Sequence, residues 1–214
     1  MTAPDPKAPK RTAPPDVRKK QLIEATITCI ADKGISGTTL NAVTKEAGLS
    51  LGLANFHFKS KDVLLTETLA FLAKEHRSLW IEDASNDLLS PAEKLETIVN
   101  AQFDKRVCGR KKLAVWFAFF GEAKYRKSYR DTALAVDTER LDASTAICAL
   151  IIGESGYSRV SARGVAQTLE GLFDGLWLNM LMNPTEFSRD AAKAQVITYL
   201  SGVFPDHFSA KVER

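Results

Sequence analysis

From Asp16 onward, apolar residues recur at three- and four-residue intervals, the spacing that lines one face of an α-helix. Leu22, Ile23, Thr26, Ile27 and Ile30 form such a face on a first helix of about 17–33, with Asp16 as its cap and Gly34 and Gly37 at its end. Leu40, Val43 and Ala47 mark a second helix. Gly48 ends it, where a residue tolerant of positive φ is needed. Ser50 stands where an N-cap belongs, and a third short helix runs from Leu51 to Phe56. Leu64, Leu65, Leu69, Leu72, Leu79 and Trp80 predict a long fourth helix to about Ile81, opened by Ser60 and Asp62. Ser90-Pro91-Ala92-Glu93 is a capping box with proline at the first helical position, starting a helix to about Val107. Aromatic-rich 113–125, charged and apolar 128–152, then 161–182 and 188–202 complete about nine helices. There is no alternating strand pattern and no internal repeat, so the expected class is all-α.

The stretch 38–61, two short helices around a glycine turn, is the helix-turn-helix pattern, whose second helix lies in the DNA major groove. Charge agrees with a polyanionic partner. The net charge is +3, but residues 1–20 hold six Lys or Arg against Asp5 and Asp16, a surplus of four, so the rest sums to −1. Residues 1–15 also hold five of the eight prolines and little that is apolar except alanine, so a disordered basic arm is expected there. The 214 residues suffice for two domains, and no apolar run approaches the roughly 20 residues that span a bilayer. No secretory signal is visible, so a cytoplasmic protein with no membrane partner is expected. Cys29, Cys108 and Cys148 are odd in number and lack CxxC spacing, so neither disulfides nor a metal site is expected, and no cofactor.

Ala47-Gly48-Leu49-Ser50-x-Gly52, then Phe56-His57-Phe58-Lys59-Ser60-Lys61 and Leu64-Leu65, resembles the N-terminal domain of the TetR family of one-component regulators over about Asp16 to Leu72. The resemblance implies a helix-turn-helix domain over 16–62, joined by the long fourth helix to a ligand-binding and dimerisation bundle over 63–205, with a tail over 206–214. Thr39, His57 and Lys61 are candidates for phosphates. Leu51, Leu53 and Asn55 are candidates for base edges, since Asn suits adenine and Leu can meet a thymine methyl. Ser50 caps the helix, and Gly52 would let its backbone approach closely. The family commonly shows a tyrosine where Asn55 or His57 stands and a polar residue where Leu51 stands, so the resemblance carries the fold to this chain but not the family's base contacts.

The second domain, through Ala114-Val115-Trp116-x-Ala118-Phe119-Phe120, Tyr129-Arg130 and Asp174-Gly175-Leu176-Trp177-Leu178, resembles the ligand-binding half of BetI-like repressors, which respond to choline. A quaternary ammonium donates no hydrogen bond and is held by aromatic faces and a carboxylate. Trp116, Phe120, Tyr125 and Trp177 could supply faces, and Glu122 or Asp174 charge, although such stripes equally mark a core. A buried Asp174 would need a partner, for which Arg126, Arg130 and Arg140 are available. The last two long helices, about 161–202, are expected to form a homodimer seam, with Leu172, Leu176, Met180 and Leu181 in surplus. In TetR-like proteins the equivalent pair does so. A dimer would read a palindromic double-stranded operator and be released when a small-molecule effector shifts the population of its forms.

No GxGxxG, P-loop, HExxH or GxSxG occurs, and His57, His76 and His207 are scattered, so no catalytic residue is assigned. The alternatives are an activator, a regulator with a non-cationic effector, and a helical module without DNA binding. The basic arm and the retained Gly48-Leu49-Ser50-x-Gly52 speak against the last.

Overall fold

The computed structural model describes residues 14–209, in which eleven helices follow one another: α1 (Pro15–Gly37), α2 (Leu40–Ala47), α3 (Leu51–His57), α4 (Lys61–Arg77), α5 (Ile81–Ala84), α6 (Pro91–Gln102), α7 (Lys105–Cys108), α8 (Arg110–Ala123), α9 (Lys127–Ser155), α10 (Ala162–Met182) and α11 (Arg189–Val203). No strand occurs among the described residues, so the fold is all-α as the periodicity predicts. The basic arm expected over 1–15 lies outside the described residues except for Pro14 and Pro15, as does the tail beyond Ser209.

Single turns α5 and α7 raise the number of helices above the expected nine. The helix from Ser90 stops at Gln102, because the Asp104 carboxylate accepts from the Arg106 backbone N–H at 2.7 Å and caps a new turn. The fourth helix stops at Arg77, where Leu79 and Trp80 donate to His76 and Arg77 carbonyls at 3.1 and 3.3 Å in tighter three-residue turns.

The chain divides between Phe71 and Leu72 into two compact units, nine residues beyond the expected boundary. The first half of α4 is bound into the first unit: Leu64, Leu65 and Leu69 are buried, Glu67 pairs with Lys19 at 2.5 Å, and the Lys20 ammonium lies over Phe71.

In the first unit α1 supplies the floor. Leu22, Ile23, Ile27 and Ile30 are buried, and each such side chain contributes about 1.5–3 kcal/mol on leaving water. The helix begins at Pro15, preorganised for a first helical turn, so Asp16 lies inside that turn rather than capping it. Gly34, at φ 70°, breaks the helix, and the carbonyls freed around it are taken up by Thr38 Oγ1 (2.8 Å to Gly34) and the Lys61 ammonium (2.7 Å to Ile35, 3.4 Å to Ser36). Thr39 caps α2 by accepting from Ala42 N–H at 3.1 Å. Gly48, at φ 64°, turns the chain in the left-handed region, with Leu49 N–H donating to the Thr44 carbonyl at 2.9 Å. Ser50 then caps α3, accepting from Leu53 N–H at 3.3 Å. Gln21 of α1 donates to the Ala47 carbonyl at 2.9 Å, tying the end of α2 to the floor.

In the second unit α9, 29 residues long, packs against α6, α8 and α10, and ends at Gly156, left-handed at φ 69°. Leu95, Ile98, Val99, Leu113, Phe119, Tyr129, Ile147, Ile151, Leu169, Phe173, Val196 and Leu200 form the core. Cys29, Cys108 and Cys148 are buried free thiols, and burial pushes Cys108 and Cys148 up to about 12. Among the described residues no helix is long and apolar enough to cross a membrane.

A Cβ built on Gly48 meets no atom within 4 Å, so the cost of a side chain there is conformational alone. Gly48→Ala is expected to lower the free energy of unfolding by about 1–2 kcal/mol, measured by helical circular dichroism in urea.

Candidate functional site

Two places carry candidate chemistry. The first is the outer face of α3. Ala54 is fully buried and Leu53 and His57 are half-buried, which leaves Leu51, Gly52, Asn55 and Phe56 outward. Phe56 is 75% exposed and was not anticipated as a site residue; its place one turn beyond Gly52, away from Ala54, was the available signal. Thr39 and Ser50 are exposed, and each hydroxyl that accepts a capping bond still carries a proton to donate. His57 fits a phosphate contact less well than expected: its ring lies between Phe56 (centroids 5.1 Å apart) and Phe58 (6.2 Å), with Nε2 buried and without a hydrogen-bond partner among the described residues. Lys61 is already engaged with the α1 carbonyls, so its first task is to hold α4 to α1. Lys45 and Lys59, on either side of α3 in the chain, are exposed.

The second place is a small, partly open pocket within the second unit, with free room for about one water molecule between its walls. Trp116 and Phe120 of α8, Phe173 and Trp177 of α10, and His76 and Gln102 give it aromatic and polar walls, and Asp137, Arg140 and Asp174 give it charge. Trp116 lies 6.2 Å from Trp177 and 5.9 Å from Phe120, centroid to centroid. Trp177 Nε1 donates to the Gln102 carbonyl at 2.9 Å, which fixes that indole. Trp116 is 5% exposed, and its Nε1–H finds no hydrogen-bond partner among the described residues. A buried donor in that state costs roughly 1–3 kcal/mol.

His76 is buried, with Nε2 2.9 Å from the Gln102 side-chain nitrogen. Burial first, and the Arg140 charge second, hold it down to about 3, so it is neutral. As an acceptor for the glutamine N–H, Nε2 is the unprotonated nitrogen. The buried Arg140 guanidinium donates to Glu170 through Nε at 2.9 Å and again through a second, shorter bond from Nη2, and to Asp137 at 2.9 Å. One guanidinium thus faces three carboxylates, those of Asp137, Glu170 and Asp174. Asp174 stands at the mouth and is exposed rather than buried, so it does not need the internal partner expected of it. Loss of part of its hydration, then the Asp137 charge, raise its carboxyl above the usual range; Arg140 opposes them and Glu170 adds to them.

Of the six expected effector residues, Trp116, Phe120, Asp174 and Trp177 line this cavity, and Glu122 and Tyr125 do not. Tyr125 follows Trp116 by nine residues, two and a half helical turns, beyond the end of α8 at Ala123, and it is 78% exposed. Glu122 pairs instead with Arg126, 3.4 Å away. His76, Gln102, Asp137, Arg140 and Phe173 are cavity residues that were not assigned to the site beforehand.

On the remaining face of α10 and α11, Leu176 and Met180 prove to be buried in the unit's own core and Leu172 and Leu181 half-buried, so the expected apolar surplus is smaller. Leu178 and Met182 are the exposed large residues there, beside exposed Gly171 and Gly175 of α10 and Ala191, Ala194 and Gly202 of α11.

A helix-turn-helix unit followed by a helical bundle with an internal cavity defines a one-component regulator, in which one chain both reads DNA and binds a signal. Residues 22–68 match the bacterial regulatory proteins of the tetR family, and residues 91–205 match the C-terminal domain of BetI-type transcriptional repressors. The HTH-type transcriptional regulator BetI of Paraburkholderia phymatum is 33% identical, over 83% of this chain and 88% of that one. A transcriptional regulator from Pseudomonas aeruginosa superimposes with TM-score 0.79 at 25% identity, covering 91% of this chain and 93% of that one. A regulator from Saccharomonospora viridis, solved in complex with choline, shares the fold with TM-score 0.77 at 19% identity, covering 87% of this chain and 96% of that one. The chain belongs to the TetR family and is a transcriptional regulator of its BetI type.

Arg140→Met is expected to leave Glu170 and Asp137 without their countercharge and to lower stability by about 3 kcal/mol in denaturant unfolding, whatever its effect on ligands.

Proposed function

We propose that this protein is a dimeric repressor, held on a palindromic operator through α3 and released when a small organic cation, choline or a related quaternary ammonium compound, parts the walls of the pocket in the second unit and binds among them. The observation that carries the effector reading is the composition of that cavity: the faces of Trp116, Phe120, Phe173 and Trp177, a surplus of carboxylates over Arg140, and a neutral His76. Aromatic faces attract a cation that cannot donate hydrogen bonds, by about 2 kcal/mol or more where it is desolvated. Asp174 and Asp137 supply charge, and Asp174, whose ionisation is resisted without a ligand, is the carboxylate a cation would relieve. The unpartnered Trp116 N–H suits a hydroxyl or carbonyl oxygen on the same ligand.

On DNA, Thr39, Lys45 and Lys59 are the positioning groups, joined by the basic residues that precede α1, with Lys61 and His57 as secondary ones. Leu51, Leu53, Asn55 and Phe56 are the groups that meet base edges, with Gly52 allowing close approach. The partner protomer would pack on the α10 and α11 face, within 161–202, through Leu178, Met182 and the small residues beside them. Ala73 and His76 line the cavity and lie on α4, whose earlier residues belong to the DNA-binding unit. Occupancy therefore acts on α4, and operator affinity falls by the ligand's differential affinity for the two forms. Such a regulator acts in the cytoplasm. Activation in place of repression, and a non-cationic effector, remain the rival forms of the same reading.

A Cβ on Gly52 would meet only Ser50 Oγ, at 4.0 Å, so nothing within the chain requires glycine there. Gly52→Ala is expected to leave the melt unchanged or raise stability by about 0.5–1 kcal/mol, while weakening duplex binding at least tenfold in fluorescence anisotropy. Equal affinity would remove α3 from the interface. Choline at about 100 times its dissociation constant should stabilise the fold by about 2.7 kcal/mol in thermal melts. Its affinity should fall as pH drops through the raised Asp174 range, because protonation removes the charge the cation seeks. If neither choline nor any other quaternary ammonium compound moves the melt, the cationic effector is wrong and DNA binding stands untouched.

A further inference from the structure

The outer face of α3 bears no charge. Leu51, Asn55 and Phe56 stand out from it, and Gly52 adds nothing. Leu51 lies one turn from Asn55, and Gly52 one turn from Phe56, so the flank of the phenyl ring is left open. Between Glu46 and Asp62 the chain holds no acidic residue, while Lys45 and Lys59 are exposed. Apolar groups surrounded by such charge suit the floor of a nucleic-acid groove better than an apolar pocket on another protein.

The major groove distinguishes base pairs by a short code. Guanine is read by Arg or Lys on its O6 and N7, and cytosine by a carboxylate accepting from its amino group. The outer face of α3 offers neither. Adenine takes a bidentate amide at N6 and N7, which Asn55 provides. The one apolar group in the groove is the thymine methyl, which Leu51 and the largely exposed Phe56 are suited to cover.

We propose that α3 selects a run of A·T pairs at the centre of each half-site, with Asn55 on an adenine and Leu51 and Phe56 against thymine methyls. This rests on the DNA-binding reading above and adds to it which base pairs are chosen and by which side chains. Phe56 is the specificity-determining residue it adds.

The test uses the full-length chain and a pool of duplexes with a randomised centre, enriched by successive gel-shift selection. Recovered half-sites should centre on A·T runs. Remaking the best duplex with deoxyuridine for thymine in those runs deletes only the methyl groups, and should weaken binding about fourfold for each methyl covered. Phe56→Ala, which alters a side chain outside the core, should keep its melt, bind the thymine duplex more weakly and lose part of the deoxyuridine penalty. Asn55→Ala should lose about tenfold or more of the preference for adenine at one position. Half-sites centred on G·C, or equal affinity for the thymine and deoxyuridine duplexes, would overturn the proposal and leave DNA binding standing. A pool from which no duplex is retained would overturn the DNA-binding reading, and this proposal with it.

Discussion

A helix of seven residues cannot hold itself together in water. Nucleation fixes three residues for a single hydrogen bond, and isolated helices shorter than about 12–15 residues are marginal. The conformation of α3 is therefore borrowed from its surroundings. Ala54 and Phe58 are fully buried and anchor its inner face, Ser50 closes its first turn, and Gly48 sets the angle at which the chain enters it. Gln21 and Lys61 bind α2 and α4 back to α1 through backbone carbonyls that the helix ends would otherwise leave unsatisfied. The side chains that face outward thus owe their direction to buried anchors and to bonds made within the unit, those of Lys61 among them.

The second unit works under an opposite constraint. A bundle built for stability alone would fill its interior with aliphatic side chains, yet this one lines a small pocket with indole rings and places a guanidinium beside it. Arg140 is tolerated in the interior because Glu170 and Asp137 satisfy it, while partial loss of hydration and then the Asp137 charge leave Asp174 with a carboxyl that resists ionisation. Neutral His76, clasped by Gln102, completes the wall without adding to the positive charge. The aromatic side chains of this wall are core residues as well, so packing and the proposed binding of a cation fall to the same rings.

What could be read from the chain beforehand was what local chemistry determines. Gly48, Ser50, Ser90, Ser161 and Ser188 act within three or four residues, and each begins or ends the helix that its side chain or φ angle implies. Asp104 acts just as locally, but a continuous apolar face running through it hid the break at Gln102. Trp116, Phe120 and Trp177 were legible as candidates because one helical turn joins the first two and the BetI-like resemblance joins the third to them. Tyr125 was misjudged because half a turn in nine residues is enough to reverse a face. His76 with Gln102, and Arg140 with Glu170, are separated by 26 and 30 residues on different helices, and nothing short of tertiary packing brings such pairs together. Phe56 is legible from spacing alone, one turn beyond Gly52 on the side of the helix away from Ala54.

The three buried thiols bear on what this regulator can sense. Oxidants and electrophiles attack the thiolate, and a thiol raised to about 12 holds almost none of it at neutral pH. Cys108 and Cys148 also sit far inside the helical bundle that houses the cavity, and Cys29 lies in the floor beneath the helix-turn-helix. The two thiols of the second unit are thereby kept in the protonated form, poor targets for peroxide and for disulfide exchange.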